Sequence, residues 1–198
     1  MRSVMVVKGK KRGRPPQMQG NLTGAKIVQC ARRLMLEEEK VPSIRRVSGE
    51  LGVDAMAIYY YFSNKTALLE AVTVSLVEDI YEPSGTGDWQ KELTLLCHSY
   101  LNLLIDHAGL LETMLSMSSP GPAQVFIERF YTALTPLSLN EKILKDALDL
   151  LVDYLHGFAL AIHCNNDNSL QPGEYMEGPL QFCIRALARE AESLQSGR

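Results

Sequence analysis

Ser43-Ile44-Arg45-Arg46-Val47-Ser48-Gly49-Glu50-Leu51-Gly52-Val53-Asp54-Ala55-Met56-Ala57-Ile58-Tyr59-Tyr60-Tyr61-Phe62-Ser63-Asn64-Lys65 is the stretch that decides the fold. Ser43 follows Pro42 as an N-cap, and Ile44, Val47 and Leu51 recur on one face of a short helix. Gly52 can adopt positive φ and close that helix. Val53 is an apolar plug, and Asp54 is a second N-cap opening a helix from about Ala55 to Tyr61. Two short helices joined by a glycine turn make a helix-turn-helix. Its second helix fits a B-DNA major groove about 12 Å wide, which admits one α-helix.

Working outward, Ile27, Cys30, Ala31, Leu34 and Met35 recur at helical spacing and predict one amphipathic helix over residues 22–38. Pro42 stops it, since the residue before a proline avoids the α region. Downstream, Ser63 is the expected cap of a helix over residues 64–81 with the stripe Leu68, Leu69, Val72, Leu76 and Ile80. Pro83–Asp88 is the clearest linker, and Ser118–Pro122, Thr135–Asn140 and Asn165–Gly173 are further breaks. The segments 89–117, 123–134, 141–164 and 174–195 are rich in Leu without alternation, which predicts helix, with 89–117 split near His107–Gly109. The fold class is therefore all-α. It divides into a basic arm (1–20), a three-helix helix-turn-helix domain (21–66, its connecting helix reaching about 82) and a larger helical domain (83–198).

The net charge of -3 over 198 residues conceals a split. Residues 1–66 hold 13 Lys and Arg against 5 Asp and Glu, whereas residues 67–198 hold 7 against 18. The basic part points to nucleic acid and the acidic part away from it. No apolar run reaches the roughly 18 residues of a membrane span, and no apolar signal core follows the N-terminal charges. The four cysteines are scattered without a Cys-x-x-Cys pair and read as small buried hydrophobes in a reduced, cytoplasmic protein. The sequons at Asn21 and Asn64 carry no meaning there.

Residues 22–72 resemble the DNA-binding domain of the TetR family of bacterial transcriptional regulators. The Gly52-Val53 turn, Ile58-Tyr59, Phe62, Lys65 and Leu68-Leu69 fall at that family's spacing. Ser48 stands where alanine is usual, Leu51 where a small residue is usual, Asp54 where Ser or Thr often caps, and Tyr61 where His is common. The resemblance implies phosphate contacts from Tyr59, Tyr61 and Lys65, supported by helix N-terminal N–H groups. Tyr60 is expected to pack between helices. Ser43 and Arg45 begin the first helix of the pair, with Arg45 in reach of a guanine edge or a phosphate and Arg46 the weaker candidate. Asp54, Ala55, Met56 and Ala57 begin the recognition helix. Their surface is poor in hydrogen-bond donors and offers thymine-methyl contacts, so shape readout carries the remainder. Lys11-Arg12-Gly13-Arg14-Pro15 resembles an AT-hook core. Lys11, Arg12 and Arg14 there would enter a narrow minor groove or act as a non-specific basic tail.

For the acidic two-thirds the resemblance implies an inducer cavity and a dimer interface on the last two helices. The cavity candidates are Tyr100, Leu104, His107, Met114, Met117, Phe126, Phe130 and Tyr154, an apolar and aromatic set suited to a lipophilic molecule. The interface candidates are Leu151, Leu155, Phe158, Ile162, Phe182 and Leu187, half of an intermolecular four-helix bundle. Two-fold symmetry suits a palindrome with half-sites about 34 Å apart. His156 and His163 lack a third ligand, so no metal is expected, and no cofactor or enzyme motif is present in the sequence. The expected protein is a homodimeric repressor released from operator DNA by a small-molecule inducer. An architectural DNA-binding protein and a helical protein-interaction scaffold are the alternatives.

Overall fold

The computed structural model describes residues 22–107, 109–117, 121–164 and 172–196. The basic arm, with Lys11, Arg12 and Arg14, and the break at 165–171 lie outside the described residues. The described chain is helical, in the order α1 (Gly24–Glu38), α2 (Ile44–Glu50), α3 (Ala55–Tyr59), α4 (Lys65–Val77), α5 (Trp89–Asp106), α6 (Leu110–Ser116), α7 (Gly121–Leu134), α8 (Glu141–Cys164) and α9 (Pro172–Ser196). A single 3₁₀ turn at Thr135–Leu137 follows α7.

Each early helix starts on a side chain that satisfies an orphan backbone N–H, a contribution of about 1 kcal/mol apiece. Thr23 accepts from the Lys26 amide at 3.2 Å, Ser43 from the Arg46 amide at 3.1 Å and Asp54 from the Met56 amide at 2.8 Å. The fourth cap is Asn64 rather than the expected Ser63. Asn64 is the residue still extended (φ -159°, ψ 178°), and its carboxamide oxygen accepts from the Ala67 amide at 2.8 Å. Helix α4 also ends at Val77, short of the expected Tyr81. Beyond it, Arg129 of α7 donates to the carbonyls of Glu78 at 2.9 Å and Ile80 at 2.5 Å, so a side chain takes over what a further helical turn would satisfy.

The expected stripe of α1 is buried as read: Ile27, Cys30, Ala31, Leu34 and Met35 face α2 and α4. Gly52 sits at φ +65°, as its turn requires, and the Val53 amide donates back to the Ser48 carbonyl at 3.0 Å. Ile58 is fully buried and anchors α3, whereas Leu51 is only half-buried.

Helix α5 is the axis of the larger part. Its Leu93, Leu96, Cys97, Tyr100, Leu101 and Leu104 are buried against α4, α7, α8 and α9. Helix α8 has a mean hydropathy of 1.3 over an 18-residue window, so by length and composition it could pass for a membrane span. Its apolar side instead packs on α5, α7 and α9, and its other sides carry Lys142, Lys145, Asp146 and Asp149. The stretch read as a linker is folded in: Pro83 is buried, and the buried Glu92 carboxylate accepts from the Ser84 amide at 2.9 Å, the Ser84 hydroxyl and the Gly85 amide at 3.3 Å. Of the cysteines, Cys30 and Cys97 are buried and Cys183 is half-buried, but Cys164 is exposed; all are free thiols.

Candidate nucleic-acid interface and ligand cavity

Helix α3 presents Met56 (71% exposed) and Tyr59 (44%) to solvent while Ile58 turns inward. Ala55 and Ala57 are half-buried beside them. Ser43 and Asp54 act as caps, with Ser43 Oγ and Asp54 Oδ1 each accepting from a backbone N–H group. Tyr60 is 85% exposed and does not pack between helices as expected. The chain turns outward after Tyr59, leaving Tyr60 only an edge contact with Tyr61 at 5.2 Å between ring centroids. The Tyr61 hydroxyl donates to the Leu22 carbonyl oxygen at 2.7 Å. That proton does not serve a phosphate while the bond stands. Leu22, Asp54, Met56, Ala57, Tyr60 and Tyr61 surround a concavity of about 460 Å³, so the chain running back into the arm leaves from beside the recognition helix.

The basic residues of the head divide sharply. Arg46 pairs with Glu38 at 2.6 Å and Glu50 at 2.8 Å, and Arg33 with Glu37 at 3.0 Å and Glu50 at 2.5 Å. These guanidiniums hold the Glu50 and Glu38 carboxyls below the usual carboxylate range. Arg32 pairs with Asp79 and also donates to Ser75 Oγ at 2.9 Å, and Lys40 lies 3.4 Å from Glu38. Arg45 and Lys65 are exposed and form no ion pair among the described residues. Arg46 is thus a structural residue, and Arg45 and Lys65 are placed for an external anion.

In the larger part, Tyr100, Met114 and Phe126 line a cavity of about 280 Å³ between α5, α6, α7 and α8. Leu104 and Phe130 are buried core residues outside it. His107 ends α5 with Nδ1 on the Leu103 carbonyl at 3.1 Å, Met117 ends α6, and Tyr154 stacks on Phe158 with centroids 6.0 Å apart. These three also lie off the cavity. Sequence reasoning missed Asp149, Asp153 and His156 as lining residues. On α8 they fall beside, not on, the buried stripe Leu148, Leu151, Leu155 and Ala159, a spacing that marks them as off the core without distinguishing cavity from solvent. Tyr100 Oη and His156 Nε2 are 2.8 Å apart. Burial raises the Tyr100 pKa and depresses that of His156, the second effect partly opposed by Asp153. Both groups are therefore neutral near neutral pH and share a single hydrogen bond.

Leu151 and Leu155 are 1% exposed within the protomer and serve its own core, not a second chain. Leu187 is 3% exposed but forms the floor of a surface groove with Ile143, Ala147, Leu150 and Phe182. Phe182 (64% exposed) and Leu150 (57%) stand free on its rim. Phe158 and Ile162 are half-buried. Among the described residues no three His, Cys, Asp or Glu side chains converge on a metal position.

Residues 42–72 match the family of bacterial regulatory proteins described as tetR, and residues 83–181, half the chain, match the tetracyclin repressor-like C-terminal domain. The HTH-type transcriptional repressor DrrR1 of Streptomyces coeruleorubidus is 29% identical over 120 residues. These cover 59% of this chain but only 44% of that protein, so the match spans less than half its length. Apo ActR from Streptomyces coelicolor superposes with a TM-score of 0.71 at 20% identity, covering 87% of this chain and 98% of its own. BioQ from Mycobacterium smegmatis gives 0.69 at 19% identity, covering 86% and 99%. ActR has also been solved with actinorhodin, and BioQ with its double-stranded DNA operator. At these identities the structural likeness speaks to the fold. With residues 42–72 and residues 83–181 matched to its two domains, the chain belongs to the TetR family of bacterial regulatory proteins.

Proposed function

We propose that the protein is a homodimeric transcriptional repressor that binds palindromic operator DNA and releases it on binding a small molecule. The observation that carries the DNA part is the exposed face of α3, with Met56 and Tyr59 outward and the unpaired Arg45 and Lys65 on either side of it in sequence. Residues 21–66 form the DNA-binding unit, α4 and the turn to 82 connect it, and residues 83–198 sense and dimerise. The groove rimmed by Leu150 and Phe182 is the dimer face. Its work on DNA places it in the cytoplasm.

A route from cavity to head runs along α6. Met114 of this helix lines the cavity. At the other end, Gly109 sits at φ +81°, and a Cβ there would lie 3.1 Å from Val41 Cγ2 in the loop between α1 and α2. A ligand that shifts α6 therefore displaces the support of the head, which couples the two sites as a population shift.

Sequencing genomic fragments retained by the purified protein tests the reading. Enrichment of one palindrome is expected; uniform retention of all fragments refutes it in favour of an architectural role. On the enriched palindrome, Lys65→Ala should weaken binding about fivefold and equally for all operator variants, as a phosphate contact does. Met56→Ala should instead change the ranking of variants.

A further inference from the structure

The cavity between α5, α6, α7 and α8 has a charge asymmetry that bears on its occupant, and the inference rests on the sensing role proposed above. Its floor is apolar and aromatic, with the Tyr100 and Phe126 rings 4.5 Å apart and tilted by 38°. Its charged lining residues, Asp149 and Asp153, are both acidic and exposed at its rim, and among the described residues no Lys or Arg lines it. Asp149 already holds Lys145 at 2.5 Å. Asp153 has no ion pair among the described residues. The remaining titratable pair, Tyr100 and His156, is closed on itself and neutral.

An anion entering this space meets like charge. A neutral molecule gains nothing from Asp153, which stands exposed at the rim. A cation gains the attraction of the carboxylates at the rim while its apolar body covers the buried aromatic floor. We propose that the cavity takes an amphipathic cation, its ring or alkyl body on Phe126 and Tyr100 and its quaternary or protonated amine beside Asp153. A cavity of about 280 Å³ suits a body of one or two rings.

The test is calorimetric titration of the full chain with three probes on one skeleton: phenylbutyltrimethylammonium, phenylbutanol and phenylbutanesulfonate. The cation should bind at least about tenfold more tightly than the sulfonate. Asp153→Asn should remove most of that preference while leaving phenylbutanol binding unchanged, a pattern that a merely misfolded variant does not give. Equal or tighter binding of the sulfonate, no binding of any probe, or a cation preference that survives Asp153→Asn overturns the proposal. Operator retention measured on the same preparations separates the two readings. Intact operator binding without cation preference sinks this inference alone; absent operator binding in the unsubstituted chain sinks the regulator reading and leaves the cation result standing.

Discussion

A phenol has one proton to give, and Tyr61 gives it to the Leu22 carbonyl oxygen at 2.7 Å. The bond ties the chain just behind the arm to the turn that follows the recognition helix. On the proposed function, Tyr61 is then a positioning residue for Leu22 and the turn rather than a direct phosphate contact. Tyr61→Phe keeps the ring and removes the bond, worth about 1 kcal/mol or roughly fivefold in operator affinity if arm placement depends on it. The informative measurement is a double-mutant cycle with a chain lacking residues 1–16. The Tyr61→Phe penalty should largely vanish in the shortened chain. An undiminished penalty would return Tyr61 to direct phosphate contact.

At the scale of elements, the segment 83–88 shows how a side chain turns an apparent linker into structure. Glu92, in the first turn of α5, gathers Ser84 and Gly85 onto one buried carboxylate. The Ser84 hydroxyl, then the backbone amides, hold its pKa below the ordinary glutamate range. A lowered folded pKa means the contribution is complete above the unfolded value of about 4.3 and disappears as pH falls through the folded one. Thermal melts of the wild-type chain and Glu92→Gln should therefore differ at neutral pH and converge on acidification toward about pH 3. A gap that is constant with pH would deny the carboxylate this role. Nothing in the sequence marked Glu92, because a linker is recognised by its own composition and not by what a later helix does to it. The same limit explains the cavity. Helix positions were legible from spacing and caps, and so were the exposed Met56 and Tyr59. Which face of α8 meets solvent, core or cavity depends on the placing of α5, α7 and α9. Leu104, Phe130, Leu151 and Leu155 were apolar enough for any of these environments, and packing assigned them to the core.

For the whole molecule, the proposed dimer rests on apolar area left uncovered on α8 and α9. Burying Phe182 in each of two symmetric copies is worth about 2 kcal/mol a side, so Phe182→Glu should weaken dimerisation about a thousandfold or more. Sedimentation at micromolar concentration should show monomer; an intact dimer would place the interface elsewhere. Charge is arranged at the same scale. Of the seven basic side chains in residues 22–66, four are held by carboxylates of the fold itself: Arg32, Arg33, Lys40 and Arg46. On the proposed function, attraction to the duplex backbone is left to Arg45, Lys65 and the arm. Removing residues 1–16 should lower the slope of log affinity against log salt by about three per protomer, if Lys11, Arg12 and Arg14 each neutralise one phosphate. An unchanged slope would exclude them. If the protein acts on DNA as proposed, the internal pairing also bears on how it searches a chromosome. A head that holds three of its four guanidiniums in its own ion pairs should have less grip on arbitrary sequence, and so should leave wrong sites sooner. The time a dimer spends at its operator is then governed by the fit of α3 rather than by charge, and a tethered arm can keep it near the duplex between attempts.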